Sequence, residues 1–275
     1  MDNLDPDNST TNKQRRFKAV PIRFLLPNFI TLLALCSGIT AIRLAFEGRF
    51  EIAVAAVILA IFLDAVDGRL ARMLKGTSRF GAELDSLADF VNFGVAPALL
   101  MYFWALNSFK PLGWTICLML SIGCALRLAR FNVMLEDPEK PVYAAAFFTG
   151  IPAPAGAALA MAPLYIGFLQ GDSEGHRYAA YIAPYVVTIA ILLVSRVPTF
   201  SGKTIAKVPR ELVLPILAGA ALVIVCLINY PWQTLLFGCC LYICLIPVSV
   251  LRFQQYRKAA SHSAIDPVSE NKPST

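Results

Sequence analysis

Charged side chains are scarce in this chain. Lys, Arg, Asp and Glu make up 15% of its 275 residues, whereas 57% are hydrophobic. The apolar residues come in runs much longer than a soluble core helix needs, which excludes an ordinary water-soluble globular protein and leaves no room for a separate soluble domain. Histidine occurs only twice, as His176 and His262, and both read as exposed polar residues. The seven cysteines, Cys36, Cys117, Cys124, Cys226, Cys239, Cys240 and Cys244, all fall in apolar runs. None has CxxC or Cys/His metal-ligand spacing, so they read as small packing residues rather than redox centres. No internal repeat is long enough to suggest an inverted-repeat transporter.

The chain instead offers membrane spans. A span needs about 20 mostly apolar residues, and eight segments qualify, near 24–46, 52–73, 87–107, 112–134, 148–169, 178–195, 211–229 and 232–251. The expected fold class is therefore all-α integral membrane, with about eight transmembrane helices. Residues 1–14 and 259–275 are polar and lack apolar periodicity, the composition of disordered tails. The expected division is a tail over 1–14, a membrane-embedded domain over 15–255 and a second tail over 256–275. Residues 15–23 mix basic and apolar side chains, which suits either a segment lying on anionic lipid or a simple basic flank.

The formal net charge of +6 fits nucleic acid or an anionic membrane face, and the positions of the charges decide between them. Lys13, Arg15, Arg16, Lys18 and Arg23 precede the first span, and Arg69, Arg72, Lys75 and Arg79 follow the second. Arg196, Lys203, Lys207 and Arg210 follow the sixth, and Arg252, Arg257 and Lys258 follow the last. Every second connection is basic, and the intervening ones are short and nearly balanced. This pattern favours the membrane over nucleic acid and puts both termini in the cytoplasm.

The most informative stretch is 64–89, DAVDGRLARMLKGTSRFGAELDSLAD, where Asp64 and Asp67 end one apolar helix and Asp85 and Asp89 begin the next. The i, i+3 spacing puts the first pair on one helix face, and the i, i+4 spacing does the same for the second. With a short connection, the two helices are expected to be antiparallel neighbours whose four carboxylates surround one small volume. Such charges at membrane depth are expensive unless paired or functional. A divalent cation such as Mg²⁺ or Mn²⁺, shared with substrate phosphates, would balance them. The alternative is a solvated loop in which the acids pair with Arg69, Arg72, Lys75 and Arg79. Gly68 and Gly81 each lie beside an acid and open the backbone to a nucleotide or diphosphate, or serve close helix packing. Arg72, one turn beyond Gly68, is placed to reach a phosphate.

The spacing Asp64-x2-Asp67-Gly68-x2-Ala71-Arg72-x8-Gly81-x3-Asp85-x3-Asp89 resembles the defining motif of the CDP-alcohol phosphatidyltransferase family at all eight fixed positions. Upstream, Pro27-Asn28-Phe29-Ile30-Thr31 is similar to the opening of that family's first helix. The resemblance implies a six-helix catalytic core, a homodimer, and a polar cavity open to the cytoplasm of a bacterial inner membrane. It also implies two divalent ions, Mg²⁺ or Mn²⁺, held by Asp64, Asp67, Asp85 and Asp89, with Asp89 as general base as well. Asn28, Thr31, Gly68, Arg72, Ser78 and Gly81 would face CDP-diacylglycerol. No Ser/His or Cys/His pair is evident in the motif, so direct in-line transfer is expected.

Phe90–Leu100, Arg127–Asn132, Gly150–Gly156 and Val194–Lys203 are similar to the branch of the family that uses L-serine, which makes CDP-diacylglycerol, L-serine and membrane lipids the expected partners. Serine's carboxylate needs a cation, and Arg127 and Arg130 lie one turn apart, with Asn132 just beyond. Asn92, three residues after the expected base, is either an acceptor contact or an interhelical hydrogen bond. Two other readings remain: another acceptor such as glycerol 3-phosphate, or a transporter with an intramembrane cation site.

Overall fold

The computed structural model describes residues 22–74, 76, 78–136, 147–171, 175–195, 198–200 and 210–265. The N-terminal tail, Lys13, Arg15, Arg16, Lys18, Lys75, Arg196, Lys203 and Lys207 lie outside the described residues.

Two long helices, α1 (Ile22–Phe46) and α2 (Phe50–Met73), form an antiparallel hairpin. Its turn is short because Gly48 takes a left-handed conformation at φ 76°. Small side chains let the two backbones approach closely: Ala34, Ala41 and Ala45 of α1 and Ala53, Val54, Val57 and Ala60 of α2 are all buried. Ser37 of α1 also donates to the Ala56 carbonyl at 2.8 Å.

The third rod begins at α3 (Arg79–Asp89), capped by Ser78, whose Oγ accepts from the Gly81 N–H at 3.0 Å. It widens into a π turn over Phe90–Val95 and continues as α4 (Ala96–Trp104). Pro97 explains the widening. It has no N–H, and its ring crowds the carbonyl four residues back, so the turn before it opens and the Ala96 N–H bonds to the Val91 carbonyl. A 3₁₀ turn, Leu106–Phe109, leads into α5 (Pro111–Glu136), where Gly113 packs directly on the Leu106 carbonyl.

The fifth expected span differs from its expectation in two ways. Residues 148–152 are not helical. Strand β1 (Phe147–Thr149) pairs antiparallel with β2 (Pro198–Phe200), Phe148 opposite Thr199, so an otherwise all-α chain carries a small ribbon. Gly150, at φ 85°, and Pro152 then delay the helix. The helix itself is divided into α6 (Ala153–Ala160) and α7 (Ala162–Gln170), because Pro163 cannot donate across Met161. A 3₁₀ turn, Gly175–Tyr178, precedes α8 (Ala179–Val194), which packs against α5.

The last two helices, α9 (Arg210–Asn229) and α10 (Pro231–Ile265), form a hairpin that meets the rest of the bundle through α10. Nearly every α9 side chain is exposed although the helix is apolar all round, as expected of a helix in lipid. Helix α10 runs to Ile265 and so takes in the first ten residues of the tail expected from 256. Gln, Arg, Lys and Ala in that stretch are good helix formers, and extending an existing helix avoids the cost of nucleation.

Among the described residues seven helical segments are long and apolar enough to cross a membrane, and the chain is an all-α integral membrane protein. The eighth expected span, α2, is long enough, but every 18-residue stretch of it carries at least three charges. Apart from Glu51, those charges are Asp64, Asp67, Arg69 and Arg72, within the motif stretch. At the opposite end of the bundle, Tyr102, Trp104, Trp114, Tyr178, Tyr230 and Trp232 gather near helix ends, the position of an interfacial aromatic belt.

The contact at Gly113 has a measurable consequence. Gly113→Ala forces its methyl group into the Leu106 carbonyl and is expected to lower thermal stability in detergent by about 1–3 kcal/mol. Gly219→Ala on α9, where a methyl group meets nothing within 4 Å, should leave the unfolding midpoint unchanged or slightly raised. Equal losses at the two sites would show that the close approach is not the cause.

Candidate active site

The carboxyl end of α2 and the start of α3 bring the acidic pairs together, though not as two helices in simple contact. Helix α2 meets the third rod along the π turn and α4, whereas at the mouth α1 lies against both α2 and α3. The splayed helices leave a cavity of about 370 Å³. Two larger recesses, of about 490 and 470 Å³, lie among apolar side chains on other helices and contain none of the four aspartates.

Carboxylate oxygens of Asp64, Asp67 and Asp85 come within 4.8 Å of one another. Asp67 is 3% exposed and accepts a hydrogen bond from Thr31 Oγ1 at 2.6 Å. Asp89 stands beside this trio: its carboxyl group is within hydrogen-bonding reach of Asp64, and its Oδ1 is buried with no partner among the described residues. Among the described residues none of the four forms an ion pair. Among the described residues the ion pairs join Glu47 to Arg43 and Arg49, and Arg69, Arg72 and Arg79 are exposed. The described arginines of this stretch therefore do not balance its acids. Three converging carboxylates and a fourth with an unpartnered buried oxygen, with no ion pair among the described residues, fit a hard divalent cation bound through oxygen.

All six residues expected on the nucleotide side, Asn28, Thr31, Gly68, Arg72, Ser78 and Gly81, line this one cavity together with Asp67 and Asp85. The two glycines separate in role. A Cβ at Gly68 would meet nothing within 4 Å, so that position opens the α2 backbone to the cavity. A Cβ at Gly81 would sit 2.8 Å from Asn28 Oδ1, so Gly81 is there for the close approach of α3 to α1. Phe131 adds an aromatic wall that the acidic pattern did not indicate.

The residues expected at the acceptor are dispersed. Arg127 interacts electrostatically with Asp64 and Asp89. Arg130 donates from Nη1 to the Val194 carbonyl at 2.8 Å, satisfying an orphan group at the end of α8. Asn132 donates from Nδ2 to Ser86 Oγ at 2.9 Å and ties α5 to α3. Asn92 is 1% exposed and packs on Gly38 of α1, where a Cβ would collide with its side chain. One residue near Arg127 was not foreseen: Tyr242 of α10, whose hydroxyl is buried and interacts electrostatically with the guanidinium. In sequence it is one aromatic residue in an apolar run.

A family model described as CDP-alcohol phosphatidyltransferase matches residues 24–197, and another, described as CDP-alcohol phosphatidyltransferase 2, matches residues 211–247. A protein of Mycobacterium leprae named CDP-diacylglycerol–serine O-phosphatidyltransferase is 37% identical over 240 residues, covering 87% of this chain and 79% of the relative. A Helicobacter pylori protein of the same name is 36% identical over 185 residues, 64% of this chain and 73% of its own length. An archaetidylserine synthase of Methanothermobacter thermautotrophicus is 32% identical over 178 residues, 62% of this chain and 68% of the relative.

The unpaired carboxylates make a prediction about stability. In chelator, Asp85→Asn removes like-charge repulsion and should raise the unfolding midpoint in detergent by a few degrees, on the order of 1 kcal/mol. Mn²⁺ at millimolar concentration should stabilise the unmodified chain and have little effect on the variant. A variant less stable in chelator would point instead to a charge-paired loop.

Proposed function

Because the chain belongs to the CDP-alcohol phosphatidyltransferase family, we propose that it is a phosphatidylserine synthase, transferring the phosphatidyl group of CDP-diacylglycerol to L-serine and releasing CMP. The observation that carries this reading is the cavity in which Asp67 and Asp85 of the carboxylate cluster meet Asn28, Gly68 and Arg72. The relatives named for serine transfer, which cover most of the chain, support the acceptor.

Asp64, Asp67 and Asp85, with Asp89 beside them, would hold two divalent ions, Mg²⁺ or Mn²⁺. When bound, such ions neutralise the diphosphate and the developing charge on the leaving CMP. The remaining work falls to the chain. Gly68 lets the diphosphate lie against the α2 backbone, and Arg72, exposed at the rim, offers its guanidinium fork to a phosphate. Asn28, held by the approach of Gly81, and Ser78 form the nucleotide wall. Thr31 fixes the orientation of Asp67 through its hydrogen bond.

Asp89 accepts the proton of the serine hydroxyl as that oxygen attacks the phosphorus bearing diacylglycerol. The bond from this phosphorus to the CMP oxygen breaks on the opposite side, and the electron pair leaves with CMP. The position of Asp89 at the inner edge of the trio, with Oδ1 free to accept, supports the assignment. Direct transfer requires no covalent intermediate. A homodimer in a bacterial inner membrane, with both termini and the cavity facing the cytoplasm, completes the reading. The alternation of basic and balanced connections supports that orientation.

The test is CMP release by detergent-purified protein given CDP-diacylglycerol, Mn²⁺ or Mg²⁺, and serine, glycerol 3-phosphate, inositol or choline. Serine alone is expected to drive release, and chelator to abolish it. Asp89→Asn should lower kcat by about 10²–10⁴-fold, the usual contribution of a general base. Release with a different acceptor would keep the site and refute the serine assignment. Cation flux without CMP release would refute transferase activity altogether.

The second test concerns Thr31. Thr31→Val removes the donor to Asp67 while keeping the shape of the side chain, and should weaken Mn²⁺ binding by about 10–100-fold, as loss of an outer hydrogen bond does at other metal sites. Titration calorimetry on the folded variant measures it. Unchanged affinity would show that Asp67 needs no such support.

A further inference from the structure

The apolar recess of about 490 Å³ lies in the half of the bundle away from the carboxylates, at the seam between the core and the terminal hairpin. Helix α7 forms its floor. Helix α10 packs on α7, and α8 packs on α5 and α6, which leaves α8 and α10 facing each other across the recess with little direct contact. Hydrogen bonds close the inner end. Pro163 has no N–H for the Leu159 carbonyl four residues back, and the Tyr185 hydroxyl of α8 donates to that carbonyl at 2.8 Å. Cys239 Sγ of α10 donates to the neighbouring Ala158 carbonyl at 3.6 Å. The two bonds join the walls to the floor where the span divides.

The outer end is different in character. Trp104, Gln170, Tyr178 and Tyr181 gather there, at the end of α4, the end of α7 and the start of α8. Trp104 is 2% exposed, and its indole N–H has no partner among the described residues. Gly175 packs on the same ring so closely that a Cβ would sit 2.6 Å from it, which fixes the turn leading to Tyr178. Gln170 and both tyrosines are exposed, and so is Arg177, next to Tyr178 in the chain. The recess therefore has hydrogen-bonding groups and a cation at the level of the aromatic belt and an apolar interior below them. That is the polarity of a phospholipid.

We propose that this recess is a phospholipid site, separate from the carboxylate cavity, whose occupant holds the α9–α10 hairpin to the core. One acyl chain lies on α7 between α8 and α10. The ester oxygens accept from Trp104, Gln170 and the tyrosines, and the phosphate lies toward Arg177. Water is a poor filling, because apolar cavities stay dry, and an empty gap forfeits the dispersion contacts of its lining. In the hydrocarbon layer an acyl chain is the group at hand to supply them. The recess contains none of the aspartates, so the lipid is a structural partner and undergoes no reaction.

The experiment titrates dioleoylphosphatidylglycerol into the full chain in detergent, with chelator present and no CDP-diacylglycerol, and counts bound lipid by native mass spectrometry. Cys240→Phe and Ile166→Phe enlarge exposed lining residues, so that the added ring occupies the recess. Each should weaken the binding of one lipid per chain at least about tenfold, the loss of roughly two buried methylene groups. Leu241→Phe, on an exposed face of α10 outside the recess, should bind as the unmodified chain does. Arg177→Gln should narrow the preference for the phospholipid over dioleoylglycerol, which lacks the phosphate. Equal binding by the unmodified chain and both recess variants would overturn the proposal, and so would dioleoylglycerol binding the unmodified chain as tightly as the phospholipid. If light scattering shows that Cys240→Phe breaks an oligomer while its lipid count is unchanged, a second copy covers the recess and the proposal fails.

Discussion

The arrangement of this bundle follows from one electrostatic constraint: four carboxylates gathered from α2 and α3 with no ion pair to them among the described residues. Two unit charges a few ångströms apart repel by about 1 kcal/mol in water and by several times that in a poorly solvated site. The fold must hold them together against this force, and α1 acts as the brace. It packs along α2 through small residues, places Thr31 on Asp67, and receives α3 so closely that only glycine fits opposite Asn28. The first helix contributes no carboxylate, yet the geometry of the cluster depends on it.

The π turn in the third rod serves the same end. Inserting one residue into an α-helix rotates everything on one side of it by roughly 100° about the axis. With α4 fixed by its buried residues Leu100, Met101 and Trp104, the turn at Phe90–Val95 determines which way Asp85 and Asp89 face. Its neighbours accommodate it in detail. Ser121 of α5 donates to the Gly94 carbonyl at 3.2 Å, and Gly94 and Gly38 leave room for Cys124 and Asn92 respectively. Wide turns of this kind are frequent at functional sites.

The sequence revealed those features of the fold and site that depend on local pattern. Long apolar runs marked the spans, and the spacing of Asp64, Asp67, Asp85 and Asp89 gave two acidic faces. What it hid depends on partners far apart in the chain. Pro97 and Pro163 are visible in the sequence, but that one widens a turn and the other divides a span emerges only from the packing around them. Gly68 and Gly81 look equivalent beside their acids, and only the position of Asn28 distinguishes open backbone from close packing. Arg127 and Arg130 are likewise indistinguishable until α8 presents the Val194 carbonyl to one of them. The ribbon between residues 147–149 and 198–200 joins segments some fifty residues apart, beyond the reach of periodicity.

The buried polar atoms that remain unpartnered then acquire a common meaning. Asp89 Oδ1 and Asn92 Oδ1 on the third rod and Ser249 Oγ on α10 have no hydrogen-bond partner among the described residues. Each such group costs about 1–3 kcal/mol relative to a satisfied one, a large sum beside the net stability of a typical fold. Tight packing at Gly38 and Gly94 and the large apolar surface elsewhere in the bundle can carry that cost, but they do not remove it. A cation shared with Asp64, Asp67 and Asp85 would give Asp89 Oδ1 a partner and offset part of that penalty.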